Sequence, residues 1–298
     1  MGTPDRVVRS VALLRRRGYA LRAARLGELC LGGPVSEADV RRAASASRDL
    51  AIVHDLVLDS ERIAQAERIR DRASGHSAHA GDYIAMTQRF VGTLVACAPF
   101  IRSVWIAGSL ASGGFRESDD VDLNLVVDDG HRHLAYVAVN ALGLLHALAH
   151  RSKPVDDLTR RPVAPRLMTA NLILERSQLA PLARQDEGMA FELLVSEPVF
   201  GVDLFREIVD RNPALLDHFP QLAEKGAPLA LQPASRKRAR APRWLYPAAL
   251  DGAARTVGLM AWRYMQWTRR HRPDALARVA FVRETMRPYT LFDDAGVS

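Results

Sequence analysis

Ile106-Ala107-Gly108-Ser109, followed after ten residues by Asp120-Val121-Asp122-Leu123, sets a glycine-serine turn one short loop away from two alternating carboxylates. An apolar run, Val104 to Ala107, leads into the turn, and a second strand opens on the acids. Strand side chains alternate between faces, so Asp120 and Asp122 share one face while Val121, Leu123 and Leu125 turn toward a core. Two like charges side by side repel unless a cation lies between them, and Mg²⁺ held by two carboxylates and substrate phosphates is the simplest such cation. Glycine lets backbone approach a phosphate closely, successive N–H groups there form an anion-binding concavity, and Ser109 adds a hydroxyl donor. The stretch Gly108 to Gly114 has neither the Gly-Lys-Ser/Thr ending of a P-loop nor the glycine spacing of a dinucleotide site.

An apolar residue, Gly-Ser, about ten variable residues and then Asp-apolar-Asp-apolar resembles the signature of the nucleotidyltransferase superfamily of the DNA polymerase β type. The resemblance implies that Gly108 and Ser109 hold a triphosphate, that Asp120 and Asp122 bind one or two Mg²⁺ ions, and that the reaction is an in-line displacement on an NTP. Arg116 or Arg166 would balance phosphate charge. The family places a third carboxylate on a later strand, and the matching segment here is Arg166 to Glu175. Alternation puts Thr169, Asn171, Ile173 and Glu175 on one face, and the residue nearest the expected position is Asn171. Asparagine offers a carbonyl oxygen to a hard cation but takes no proton. Glu175 would substitute only with a shifted register. Three explanations follow: an acceptor that is already ionised, a base from another residue, or a degenerate site. The first is preferred.

The segments that follow are similar to a bacterial subgroup of nucleotidyltransferase-domain proteins: an Asn-bearing strand, a helix carrying Glu192, a Pro-x-x-Gly turn at Pro198 to Gly201, and a helix ending at Asn212. The likeness covers about residues 95 to 220 and brings no substrate with it. Glu192, flanked by Phe191, Leu193 and Leu194, needs a partner: it either orients an active-site group or pairs at a helix seam with Arg206, and the second is preferred. Asn212 before Pro213 reads as a helix terminator.

The resemblance implies an α+β scaffold: a polymerase β-like core with a mixed sheet over 79–225, a winged-helix-like unit over 1–78, and a basic linker with C-terminal helices over 226–298. Arg6 to Arg17 has helical apolar periodicity, Ser36 caps the next helix, and Leu50 to Asp59 reads as a strand pair. Ser74 to Gly81 reads as a linker, Asp82 to Ala98 as a helix, and His131 to Arg151 as a long helix covering the sheet. The pairs His76/His79 and His146/His150 lack the companions of a metal site. Trp244 to Arg272 reads as a helix with Leu250, Val257, Met260, Tyr264 and Trp267 on one buried stripe. The residues from Arg287 onward are expected to fray or to close over the site.

With 298 residues, 48% hydrophobic and 25% charged, the chain suits a globular protein with a large core. Cys30 and Cys97 give no metal spacing or disulfide framework, and a reducing cytoplasm is the expected location. Asp251, Arg255 and Arg263 interrupt the most apolar late segment, which argues against a transmembrane span, and no membrane partner is expected. The net charge of +7 comes almost entirely from arginine. It permits nucleic-acid binding without indicating it. The expected partners are an NTP and an acceptor, either a small molecule or a macromolecule such as a tRNA or protein modified by a toxin. The alternative is a catalytically degenerate nucleotide-binding or regulatory protein.

Overall fold

The computed structural model describes residues 2–154, 167–225 and 240–292. The N-terminal elements run α1 (Thr3–Arg17), β1 (Leu21–Arg22), α2 (Ala23–Glu28), α3 (Glu37–Ala46), β2 (Leu50–Val53) and β3 (Leu56–Asp59). Val7, Val11 and Leu14 recur at helical spacing and bury one stripe of α1 against Leu26 and Val40. Ser36 caps α3 by accepting from the Asp39 N–H. The strands form a small antiparallel sheet in the order β1-β3-β2. The β2–β3 turn places His54 and Asp55 at positive φ, a conformation that short polar side chains tolerate best.

The next helix, α4 (Ala66–Cys97), corrects the expected linker: it runs unbroken through Ser74 to Gly81. Helical glycine costs roughly 1 kcal/mol. Burial of Ile69, Tyr83, Phe90 and Leu94 on the same helix outweighs two such glycines.

There follow β4 (Ile101–Ala107), α5 (Gly108–Ser112), β5 (Val121–Val127), α6 (Arg132–Leu148), β6 (Met168–Glu175), α7 (Glu187–Val195), β7 (Glu197–Phe200), α8 (Val202–Asp210) and α9 (Ala214–His218). The strands build a mixed sheet ordered β6-β5-β4-β7, with β5 and β6 parallel and the other pairs antiparallel. Strand β7, the short run Glu197-Pro-Val-Phe200, falls where the sequence suggests a Pro-x-x-Gly turn, and it pairs with β4. The chain is therefore an α+β protein with a mixed four-stranded sheet and a small antiparallel one.

One face of the larger sheet presents Val104, Ile106, Val121, Leu123 and Leu125 to Phe90 and Leu94 of α4 and Val139 of α6. The other face presents Trp105, Val126, Leu172 and Leu174 to a core shared by α7, α8 and the N-terminal helices. The N-terminal unit thus shares a continuous core with the sheet.

The last helices are α10 (Leu250–Arg269) and α11 (Pro273–Met286). The expected buried stripe of α10 is reversed. Leu250, Val257, Met260, Tyr264 and Trp267 are all exposed, and the helix packs through Ala254 and Gly258. A Cβ on Gly258 would collide with Phe292 and crowd Tyr136, so close helix approach selects the small residues for the inside. Tyr289 and Phe292 are buried rather than frayed, and Arg132 donates to the Tyr289 carbonyl. Of the basic run Arg236, Lys237, Arg238, Arg240 and Arg243, the first three lie outside the described residues, and Arg243 pairs with Asp128. Among the described residues no helix is long and apolar enough to cross a membrane.

Candidate functional site

Ala107, the last residue of β4, pairs across the ladder with Asp122 of β5. Gly108 then turns the chain into α5 at φ +63°, where a Cβ would overlap the Asp122 carboxylate. Glycine is required there for both conformation and space. On its other side Asp122 faces Thr169 of the parallel strand β6, whose hydroxyl donates to Asp122 Oδ1 at 3.1 Å. Asp120 stands just before β5. Both acids are half-buried while the intervening Val121 and the following Leu123 are wholly buried, the alternation that the sequence predicts.

The third acid of this cluster is Asp119, which the motif spacing does not single out. It is 2% exposed and collects four donors. Ser109 Oγ donates at 3.3 Å, the Arg116 backbone N–H at 3.2 Å, the Arg116 guanidinium at 3.0 Å and Arg72 Nη2 at 3.3 Å. Lys153 donates to the Asp119 carbonyl at 2.7 Å. The hydroxyl and the arginine expected to meet phosphate, Ser109 and Arg116, are therefore both engaged by Asp119. An arginine three residues ahead of an acid is the local signal, but Arg72 comes from α4 and leaves no trace in the spacing.

Arg72 also donates to the Gly114 carbonyl and lies over the Tyr19 ring, 5.6 Å from its centroid. Burial pulls its guanidinium pKa down, opposed by Asp119. Tyr19 donates to Ser112 Oγ, which donates to the Gly108 carbonyl at 2.6 Å. Burial raises the Tyr19 phenol pKa and keeps it a donor. His76, held neutral by burial and by Arg72, accepts from the Phe115 N–H at 3.3 Å. The loop from Gly108 to Asp120 is thereby tied to the N-terminal unit and to α4.

The expected face of β6 needs correction. A β-bulge leaves Asn171 without a ladder partner, between Ala170 opposite Leu123 and Leu172 opposite Asn124. The extra residue shifts the alternation: Thr169, Leu172 and Leu174 turn to the Asp122 side, while Ala170 and Ile173 turn to the α4–α6 core. Asn171 is half-buried at the bulge. Glu175 is at the far end of the strand, opposite Val127, where it accepts from the Gly130 N–H at 2.8 Å and caps a short turn with Gln178. It is no substitute for a third acid. Arg166 lies outside the described residues. Among the described residues no group of three or more His, Cys, Asp or Glu side chains could hold a metal ion.

Two buried groups lie next to Asp122 in the ladder. Asn124, two residues on and on the same face, is wholly buried with neither amide atom hydrogen-bonded to a protein group. Trp105, its ladder partner, has an unpaired indole N–H.

Elsewhere the partners differ from expectation. Glu192 pairs with Arg17 of α1 at 3.1 Å, and Arg206 takes no part. Asn212 does more than end a helix: it accepts from the Leu182 N–H and donates to the Leu179 and Ile208 carbonyls, each at 2.7 Å. His150 bonds to the His146 carbonyl, as a solvated helix end does. Lys225 donates to the Leu193 and Leu194 carbonyls at the end of α7, and burial pulls its pKa down to about 8. Comparison with protein families, curated proteins and solved structures found no match to this chain.

Proposed function

We propose that this chain is a Mg²⁺-dependent nucleotidyltransferase that moves a nucleotidyl group from an NTP to an acceptor. The observation that carries the reading is the meeting of Asp122 with the Gly108–Ser109 turn, since the carboxylate lies where a side chain at position 108 would be. On this reading the sheet β6-β5-β4-β7 is a polymerase β-like core whose β4–β5 pair carries both halves of the motif.

Asp120 and Asp122 hold the cation through their oxygens. Two carboxylates would suit an ion that completes its shell with substrate phosphate and water, as Mg²⁺ does. When bound it neutralises phosphate charge. Thr169 orients Asp122, and the Asp119 hub holds the turn rigid. Asn171 contributes at most a neutral oxygen, so the acceptor arrives already ionised, as a phosphate or carboxylate does.

On this reading the N-terminal unit, in the order helix–strand–helix–helix–strand–strand, is winged-helix-like. Its α3 carries Arg41 and Arg42 paired with Glu37, Asp55 and Asp39. Charge so neutralised suits a scaffold better than a phosphate backbone.

A second reading, nucleotide binding without transfer, is favoured by the lack of an acid at the third position. Incubating the protein with Mg²⁺, cell extract and NTPs carrying a radiolabelled α-phosphate separates the two. Label transfer that is lost in Asp120→Asn and Asp122→Asn supports the enzyme. Tight Mg²⁺-NTP binding with no transfer supports the second reading.

A further inference from the structure

Helix α10 carries Leu250, Ala253, Val257, Met260, Tyr264 and Trp267 at alternating intervals of three and four residues, and all six are exposed. Met260 is 67% exposed, Tyr264 64% and Trp267 58%, values at which single apolar residues are ordinary but a continuous row is not. The helix is firmly seated by its opposite side. Asp251 accepts from the Leu134 N–H and His133 of α6, and Ala254 and Gly258 lie against the same region. The row is therefore a fixed ridge of about 30 Å, at 1.5 Å per residue over 20 residues. Alternating intervals of three and four make a coiled-coil seam, while Leu259 and Trp262 of the same helix are turned to the α4–α6 core.

Charge selects what lies along it. Counted from the seam, Arg263 and Arg270 fall at the flanking positions on one side, and Ala261 and Thr268 on the other. Arg270 sits over the Trp267 ring, 4.3 Å from its centroid, so the cation is held beside the seam. Residues 240–292 contain ten arginines, no lysine and three acids, Asp251, Asp274 and Glu284. Asp251 is turned into α6. A second copy laid antiparallel would bring Arg263 and Arg270 against their own counterparts, whereas an acidic helix matches both the seam and its flank.

We propose that the exposed seam of α10 docks an acidic amphipathic helix supplied by another protein. The proposal is independent of the nucleotide site.

The probe is a synthetic peptide of three heptads with Leu at the two seam positions and Glu at the flanking ones. Its controls carry Lys for Glu, or Ser for Leu. Titration into the full chain, followed by tryptophan fluorescence, is expected to show the Glu peptide binding at least about tenfold tighter than either control. Met260→Glu is expected to abolish binding. The doubly substituted Arg263→Glu, Arg270→Glu chain, altered only at exposed positions, is expected to lose about tenfold and to reverse the preference toward the Lys peptide. Equal binding of the Glu and Lys peptides, or no binding at millimolar concentration, overturns the proposal. So does a dimer in sedimentation that Met260→Glu dissolves, which would make a second copy the occupant. Binding to phosphatidylglycerol vesicles in place of the peptide overturns it as well.

Discussion

The Asp122 carboxylate occupies the volume that a side chain at position 108 would need, and Gly108 reaches it at φ +63°. Gly108→Ala therefore meets two penalties, an unfavourable backbone conformation and an overlap with a carboxylate. The expected loss is about 2–4 kcal/mol in urea unfolding. In an Asp122→Gly background the overlap is gone and the cost is expected to fall to about 1–2 kcal/mol, the left-handed strain alone. Additive effects of the two substitutions would mean the residues do not touch.

Arg72 is the long-range member of the Asp119 hub, and removing it leaves the buried carboxylate to the neutral Ser109 hydroxyl and to Arg116, whose side chain is 45% exposed. Arg72→Met is expected to cost about 3 kcal/mol, as breaking a buried pair does. Amide hydrogen exchange is expected to quicken over the Gly108–Gly114 turn, because Arg72 also holds the Gly114 carbonyl. Unchanged protection there would show that the hub does not set the turn.

Thr169→Val removes the one hydroxyl that orients Asp122 from β6. Stability is expected to change by about 1 kcal/mol, the net worth of a hydrogen bond. On the proposed function, affinity for Mg²⁺-NTP is expected to drop more than affinity for the free nucleotide. An equal drop in both would place Thr169 outside the cation's surroundings.

What the sequence disclosed and what it hid divide along the range of the interactions. Asp120 and Asp122 could be placed on one face because strand alternation is local, and the Leu50–Asp59 strand pair and the Ser36 cap were legible for the same reason. The bulge at Asn171 depends on how β6 registers against β5, which no spacing within β6 announces. Periodicity in α10 revealed an apolar row but not which side faces the protein. Gly258, needed for contact with Phe292 and Tyr136, decided that. The Ser74–Gly81 composition suggests a loop, and buried neighbours at either end of α4 override it. Asp119 looked no different from Asp120, because its burial is set by Arg72, a long way back in the chain. Glu192 found Arg17 rather than Arg206 for the same reason.

Lys225 carries a pH signature. Burial lowers its pKa from 10.5 to about 8, against the opposing pull of Glu197. Between those values the unfolded chain holds a proton that the folded one has released, so this residue makes stability rise with pH across that window. Below about 8 both states are charged and the contribution is flat. Cys30 and Tyr19, whose pKa values burial raises, act in the opposite sense at alkaline pH. The measurement is therefore the difference between the wild-type chain and Lys225→Met in urea unfolding from pH 7 to 10.5. The wild type is expected to gain on the order of 2 kcal/mol relative to the variant. A pH-independent difference would show that the amine is not buried.

The most direct test of the central claim is calorimetric titration of an NTP into the wild-type chain and into Asp122→Asn, each with Mg²⁺ and with EDTA. The site described here is expected to bind the nucleotide at least about tenfold tighter with Mg²⁺ in the wild type, a gain that vanishes in Asp122→Asn while the variant's thermal unfolding shows it folded. Binding that ignores Mg²⁺, or a Mg²⁺ effect that survives in Asp122→Asn, would contradict it.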